Sequence, residues 1–242
     1  MSEEAPTELP RSLGRDLQRE DFTAERLPLL AQAALKSGEQ TFITDVERAQ
    51  SLQAIRDAIP PGEAAWVFGY GSLMWNPAIK VAESRPARIK GYHAYFCLSL
   101  KMGRGTPEKP GLMLGLDEGS GECLGVAHRV AADEVDSELT VLWFREMFSG
   151  AYNPRWVAAE IEGIGPRRAI AFVINKAHPR YEGLLDDAII AERIAASEGF
   201  LGTNRDYLYR TVQRLSEMGM VDGPLHRIAS RVREIAKEGS RP

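Results

Sequence analysis

Cysteine is nearly missing from this sequence: Cys97 and Cys123 are the only two in 242 residues, which excludes a disulfide-stapled scaffold. Their spacing also excludes a Cys-x-x-Cys zinc or redox site. Histidine is scarce as well. His93, His128, His178 and His226 have no i, i+4 or other metal spacing, so no metal is expected. A basic excess is lacking too. Thirty Lys and Arg stand against 34 Asp and Glu, a net charge of −4, and a nucleic-acid partner is not expected. No apolar run approaches the roughly 20 residues that span a bilayer, so no membrane association is expected. The Met-Ser-Glu-Glu start carries neither the basic nor the apolar region of a secretory signal, and the expected location is cytoplasmic. What remains is ordinary globular composition, 44% hydrophobic and 26% charged, with a length suited to one large domain or one domain plus an appendage.

Two stretches differ in texture. Residues 1–63 hold 12 acidic and 7 basic side chains, with Pro6, Pro10 and Pro28 scattered through the first half. Such a stretch buries little apolar surface by itself. One part is helical in pattern: Thr44-Asp45-Val46-Glu47 is a capping box, and Val46, Ala49, Leu52, Ile55 and Ile59 recur at three- and four-residue spacing. Pro60-Pro61-Gly62 stops that helix, expected over about 44–59. The reading is an N-terminal extension consisting of a mobile tail and one helix packed on the main domain, with a wholly solvated tail as the alternative. The main domain is expected over 64–242. Its strand candidates are Ala65 to Phe68, Ala87 to Leu100, Leu112 to Leu116, Glu122 to Val130, Arg155 to Ile161 and Ala169 to Ile174. Helical spacing marks Asp133 to Met147, Asp186 to Ser197, Thr203 to Met218 and Leu225 to Lys237. Most strands precede most helices, which suits an α+β domain with an antiparallel, possibly closed sheet.

Three features carry chemistry. Gly69-Tyr70-Gly71-Ser72-Leu73 ends the first strand with two glycines, which allow positive φ and a nest of amides able to hold a carboxylate or phosphate oxygen. A plain tight turn is the alternative. Met74 stands where a dinucleotide fingerprint needs its third glycine, and Ser72 lacks the flanking glycines of a nucleophile elbow. Second, Glu146 falls within roughly 30° of the mean direction of Val135, Leu139 and Leu142 on the Asp133–Met147 helix, where a core leucine is expected. Burial and the helix C-terminus both act to raise its pKa, which suits proton transfer in both directions. Alternatively, the helix ends early and Glu146 pairs with Arg145 or another base at the rim. Third, the loop Lys101 to Gly111 carries Lys101, Arg104 and Lys109 among three glycines and two prolines. It could close over an anion or be a solvated hairpin end. His128 and both cysteines fit packed structural roles, and the Arg205-to-Arg214 face fits the wet side of a helix.

Together, Trp66-Val67-Phe68-Gly69-Tyr70-Gly71-Ser72-Leu73, Arg104-Gly105-Thr106-Pro107-Glu108-Lys109-Pro110-Gly111, Phe144-Arg145-Glu146 and Asn204-x-x-Tyr207-Leu208 resemble the ChaC family of glutathione-specific γ-glutamylcyclotransferases, over about 64–218. The resemblance implies a small, mostly antiparallel β-barrel with flanking helices. It also implies conversion of glutathione to 5-oxoproline and cysteinylglycine without a cofactor. It makes Glu146 the general base and acid, and gives Tyr70, Gly71, Ser72 and Leu73 the γ-glutamyl carboxylate. Tyr152 matches the family's tyrosine, although Met147 to Ala151 is a longer run than animal members have. Arg104 and Lys109 are candidates for substrate binding, and one or the other is expected near the glycyl end. Other γ-glutamyl compounds as substrates, a nonenzymatic carboxylate-binding domain and a Ser72-dependent hydrolase are the alternatives. The first sixty residues lie outside the resemblance and are given no catalytic part.

Overall fold

Short apolar runs become strands, and the strands close on themselves. The computed structural model describes residues 16–39 and 41–238. Five strands form a barrel in the order β1-β3-β2-β4-β5: β1 (Ala65–Gly69), β2 (Glu83–Leu100), β3 (Gly111–Val130), β4 (Tyr152–Ile161) and β5 (Gly165–Ile174). Neighbours are antiparallel, and the barrel shuts through a parallel contact of Val67 with Ile170 and another of Leu116 with Val173. All five residues of β1 are buried, as a strand covered on both faces requires.

The two strands expected at Leu112–Leu116 and Glu122–Val130 are one continuous β3. Its middle, residues 118–122, is exposed yet still pairs with β2, Tyr92 opposite Glu118 and Lys90 opposite Glu122. The ribbon leaves the core there, so the apolar pattern disappears while the ladder continues.

Helices α1 (Leu27–Lys36), α2 (Asp45–Arg56), α3 (Val135–Glu146), α4 (Asp187–Ala196), α5 (Asn204–Glu217) and α6 (Gly223–Glu238) flank the barrel. Among the described residues none is long and apolar enough to cross a membrane. One apolar cluster joins the barrel to α4, α5 and α6 through residues such as Phe96, Ile194, Leu208 and Val232. A second joins it to α2 and α3 through Leu52, Leu142, Trp143 and Phe172. Trp143 is fully buried, and its indole N–H donates to Ser51 Oγ at 2.9 Å, tying α3 to α2. Truncating such a residue to alanine costs about 3–5 kcal/mol.

The capping box of α2 forms: Thr44 Oγ1 accepts from the Glu47 amide at 3.1 Å, and Glu47 Oε2 accepts from the Thr44 amide at 2.7 Å. The helix ends at Arg56 rather than at 59. The extension differs more from expectation. Residues 1–15, the start of the expected tail, lie outside the described residues, but 16–39 fold against the barrel and include a second helix, α1. Pro28 stands at the second position of α1, where its missing amide breaks no helical bond. Arg19 anchors this segment with a two-pronged bond to Glu138 of α3, 2.9 Å from Nε and 2.7 Å from Nη2.

Candidate active site

One end of the barrel opens into a cavity of about 240 Å³, lined by Tyr70, Ser72, Leu73, Arg104, Glu146 and Tyr152 among others. Six of the eight residues singled out by sequence therefore meet in one place. Gly71 and Lys109 do not line it.

The residues after β1 form a 3₁₀ turn, Gly71–Met74. Of the two glycines around it, Gly69 at the end of β1 and Gly71, only Gly71 has positive φ, +55°; a Cβ there would also fall 2.5 Å from the Tyr207 hydroxyl. Gly69 is required for a different reason, since its Cβ would sit 2.9 Å from that of Leu73. Leu73 N–H bonds back to Tyr70 O at 3.2 Å, whereas the first two amides of a helical turn, those of Gly71 and Ser72, have no partner within it. His128 braces the turn from below. Its Nε2 lies 2.9 Å from Leu73 O and so carries the proton, and Nδ1 accepts from Ser84 Oγ at 2.9 Å. Burial pushes His128 down to about 4, so it is neutral at pH 7. This is the packed, satisfied histidine expected from sequence, and its position fixes the turn.

Glu146 ends α3 and reaches the cavity wall, its side chain 13% exposed. It also pairs with Arg145, Nε to Oε1 at 2.8 Å, so the two readings of this carboxylate coexist. Burial raises its pKa, and the charge and hydrogen bond of Arg145 offset only part of that. Arg145 does more than pair. Its Nη2 donates to Ser72 Oγ at 2.9 Å and its Nη1 to the Asn76 carbonyl, so one guanidinium ties the carboxylate to the turn. An arginine cannot act as base for a serine nucleophile, which removes the support for a Ser72 hydrolase.

Three buried tyrosines line the same cavity. Tyr70 donates to Phe172 O at 2.9 Å and accepts from the Leu116 amide at 3.2 Å, so its hydroxyl crosses the barrel and is committed there. Tyr152 donates to Leu114 O at 3.1 Å. Tyr207 of α5 brings its hydroxyl against Gly71. Burial first, with the charge of Glu146 adding to it, holds all three phenols above their ordinary range.

The basic loop divides in two. Met102, Gly103 and Arg104 line the cavity, held by a bond from Leu201 N–H to Gly103 O at 2.8 Å. Beyond them Lys109 is exposed: its backbone closes a tight turn with Thr106, which leaves the side chain in solvent and outside the cavity. Lys109, expected near the substrate, is thus not among the residues that line the cavity. Arg210 of α5 is exposed, as expected of the wet face, but it also reaches the rim of the cavity. Its guanidinium carbon lies 3.9 Å from the ring centre of Trp75, a cavity residue. The N-terminal segment, given no catalytic part from sequence, reaches the cavity as well: Asp16, Leu17, Phe22 and Leu30 line it. Among the described residues no cluster of His, Cys, Asp and Glu gathers as a metal site.

Comparison with known proteins bears on this geometry. A family model described as ChaC-like protein matches residues 65–235. The chain is 42% identical over 201 residues to the glutathione-specific γ-glutamylcyclotransferase of Escherichia coli K12, covering 83% of this chain and 87% of that protein. It is 34% identical over 151 residues to human glutathione-specific γ-glutamylcyclotransferase 1, covering 61% of this chain and 68% of the human one. In three dimensions it is similar to the crystal structure of a yeast γ-glutamylcyclotransferase specific to glutathione, with a TM-score of 0.66 at 20% identity, covering 74% of this chain and 99% of the yeast one.

Proposed function

The chain belongs to the ChaC family, and on that premise we propose that it is a glutathione-specific γ-glutamylcyclotransferase in which Glu146 moves the protons. The observation that supports this best is the placement of Glu146: a carboxylate of raised pKa on the wall of a cavity, tied through Arg145 to a turn whose first two amides have no partner within the turn.

The reaction is an internal aminolysis. The substrate's α-nitrogen bonds to its own γ-carbonyl carbon, the γ-amide C–N bond breaks, and 5-oxoproline and cysteinylglycine leave. Intramolecular attack in good geometry is equivalent to effective molarities of about 10⁵–10⁸ M. The protein's tasks are to fold the glutamyl chain back and to handle two protons. An α-ammonium with a pKa of roughly 8 is mostly protonated at neutrality and cannot attack. Glu146 as carboxylate takes that proton and returns it to the departing nitrogen. The Gly71 and Ser72 amides hold the α-carboxylate, with Tyr70 and Leu73 fixing the turn that presents them. Charge that develops on the γ-carbonyl oxygen needs a donor, and we assign Tyr207, whose hydroxyl abuts Gly71. Tyr152 shapes the floor, and Arg104 faces the glycyl end. No step calls for a cofactor. Two free, buried cysteines are compatible with a reducing compartment, and we place the enzyme in the cytoplasm.

Incubation with glutathione, followed by mass spectrometry, is expected to yield 5-oxoproline and cysteinylglycine in equal amounts. N-acetylglutathione, which lacks the nucleophilic amine, should be inert. Cleavage of the acetylated compound at a comparable rate would make water the nucleophile and discard the scheme.

A further inference from the structure

The cavity already holds a carboxylate. Asp16 places Oδ1 2.5 Å from Nη2 of Arg104, and its Oδ2 accepts from Nη1 of Arg210. Arg104 is aimed by its other arm, which donates to Thr203 O at 3.0 Å, and its side chain is only 8% exposed. The two guanidiniums flank Trp75, their carbons 6.0 Å and 3.9 Å from its ring centre. Trp75 is held in turn by a bond from its indole N–H to Thr211 Oγ1 at 3.2 Å. A loop and a helix distant in sequence thus converge two cations on one carboxylate, with an aromatic wall behind them. The carboxylate arrives on a docked segment: Leu17 O accepts from Asn76 Nδ2 at 2.9 Å, and Arg19 is anchored on Glu138.

We propose that the Arg104–Arg210 pair over Trp75 is the subsite for the substrate's C-terminal carboxylate, and that Asp16 is a tethered competitor which the substrate must displace. This rests on the reading of the substrate as glutathione, whose second carboxylate the turn cannot also hold. Paired arginines present forked donors that match a carboxylate. A tethered group competes at an effective concentration in the millimolar range, and a ligand's apparent affinity falls with the fraction of sites left open. Asp16 therefore lowers the affinity only of ligands that need the two arginines. A γ-glutamyl compound with no distal carboxylate leaves the Asp16 pairs in place, while glutathione must exchange one set of ion pairs for another.

The test measures binding by calorimetry in the Glu146→Gln background, which binds without turning over, and turnover in the otherwise unaltered enzyme. Ligands are glutathione and its glycyl ethyl ester, which lacks the distal charge. Asp16→Asn is expected to tighten glutathione about three- to tenfold in Kd, and to lower KM alike with kcat within about twofold. The ester should be little affected. Arg210→Ala should weaken glutathione and leave the ester unchanged. The inference is overturned if Asp16→Asn weakens glutathione or leaves it unchanged, since Asp16 would then be a structural strut. Equal tightening of both ligands also overturns it, because Asp16 would then only block space, as does glutathione that fails to bind any variant. Failure of the cyclotransferase reading is a separate result: no 5-oxoproline from the unaltered enzyme, with the binding comparison still decisive.

Discussion

Glu138 and Glu146 lie on the same apolar stripe of α3, about two turns apart, and the fold treats them in opposite ways. Glu138 is fully buried, yet its pKa is lowered. Burial acts to raise it, but the two-pronged bond from Arg19, the Lys80 amide at 2.9 Å and Ser137 together outweigh that. Glu146 has one cationic partner, and burial prevails. The first carboxylate is saturated with donors and holds the N-terminal segment onto the barrel. The second is left short of donors beside a cavity. Burial alone does not make a carboxylate reactive; the number of donors that the fold grants it decides.

Substitution of each carboxylate by its amide sharpens this contrast. Glu146→Gln should reduce kcat by about 10²–10⁴-fold with glutathione affinity retained, because the amide keeps the shape but cannot accept a proton. Turnover above about a tenth of the unaltered rate would remove Glu146 as the base. Glu138→Gln should do the reverse, lowering stability by about 1–3 kcal/mol in urea unfolding while leaving kcat nearly unchanged, since it breaks a buried ion pair away from the chemistry.

Acidity separates the pair as well. Glu146 has a raised folded pKa, so its contribution to stability is fully present below the unfolded value of about 4.5 and is lost as pH rises through the folded one. Glu146→Gln should therefore be more stable than the unaltered protein at neutral pH, with the gain vanishing towards pH 4.5. Glu138, with a lowered pKa, contributes stability above its unfolded value that is lost as pH falls through the folded one. His128 loses its contribution earlier, as pH falls from the unfolded 6.5 to about 4, because the buried ring must become charged. Unfolding curves at stepped pH values check all three; a Glu146→Gln advantage that grows on acidification would contradict the sign.

Much of the barrel is legible in the sequence because β1 and the second half of β5 are buried on both faces and read as apolar runs, while the second half of β4 alternates. The middle of β3 is not, since hydrogen bonds without burial leave no pattern. Nor is α1: Pro28 looks like a break until its place in the first helical turn is known. Glu146 stands out as an acid on an apolar stripe, and Glu138 stands on that stripe too, but its partner is 119 residues away. No spacing reveals that. Arg210 and Asp16 are invisible for the same reason, being joined only by the tertiary fold. One signal was within reach: Tyr207, Arg210 and Arg214 at three- and four-residue spacing share one face of α5, which begins in a buried tyrosine rather than in solvent.

The finest contrast lies in the two arginines. Arg145 lowers the pKa of Glu146 by its charge and hydrogen bond, against burial. Arg145→Ala should therefore raise that pKa further, and the acidic limb of the kcat/KM profile should move to higher pH, since only the carboxylate can take the ammonium proton. Activity should fall most on the acid side. The same variant releases Ser72 and the Asn76 carbonyl, which loosens the turn and raises KM at every pH. Two controls divide these effects. Ser72→Ala breaks the tie to the turn without removing the charge, so its limb should stay in place, and Arg145→Lys keeps the charge and should restore part of the shift. Arg19→Ala completes the comparison: it strips Glu138 of its main donor, raising that pKa and lowering stability, yet it should leave the acidic limb of activity where it is. A limb that moves with Arg19 and not with Arg145 would mean that the proton-transfer carboxylate had been assigned to the wrong turn of the helix.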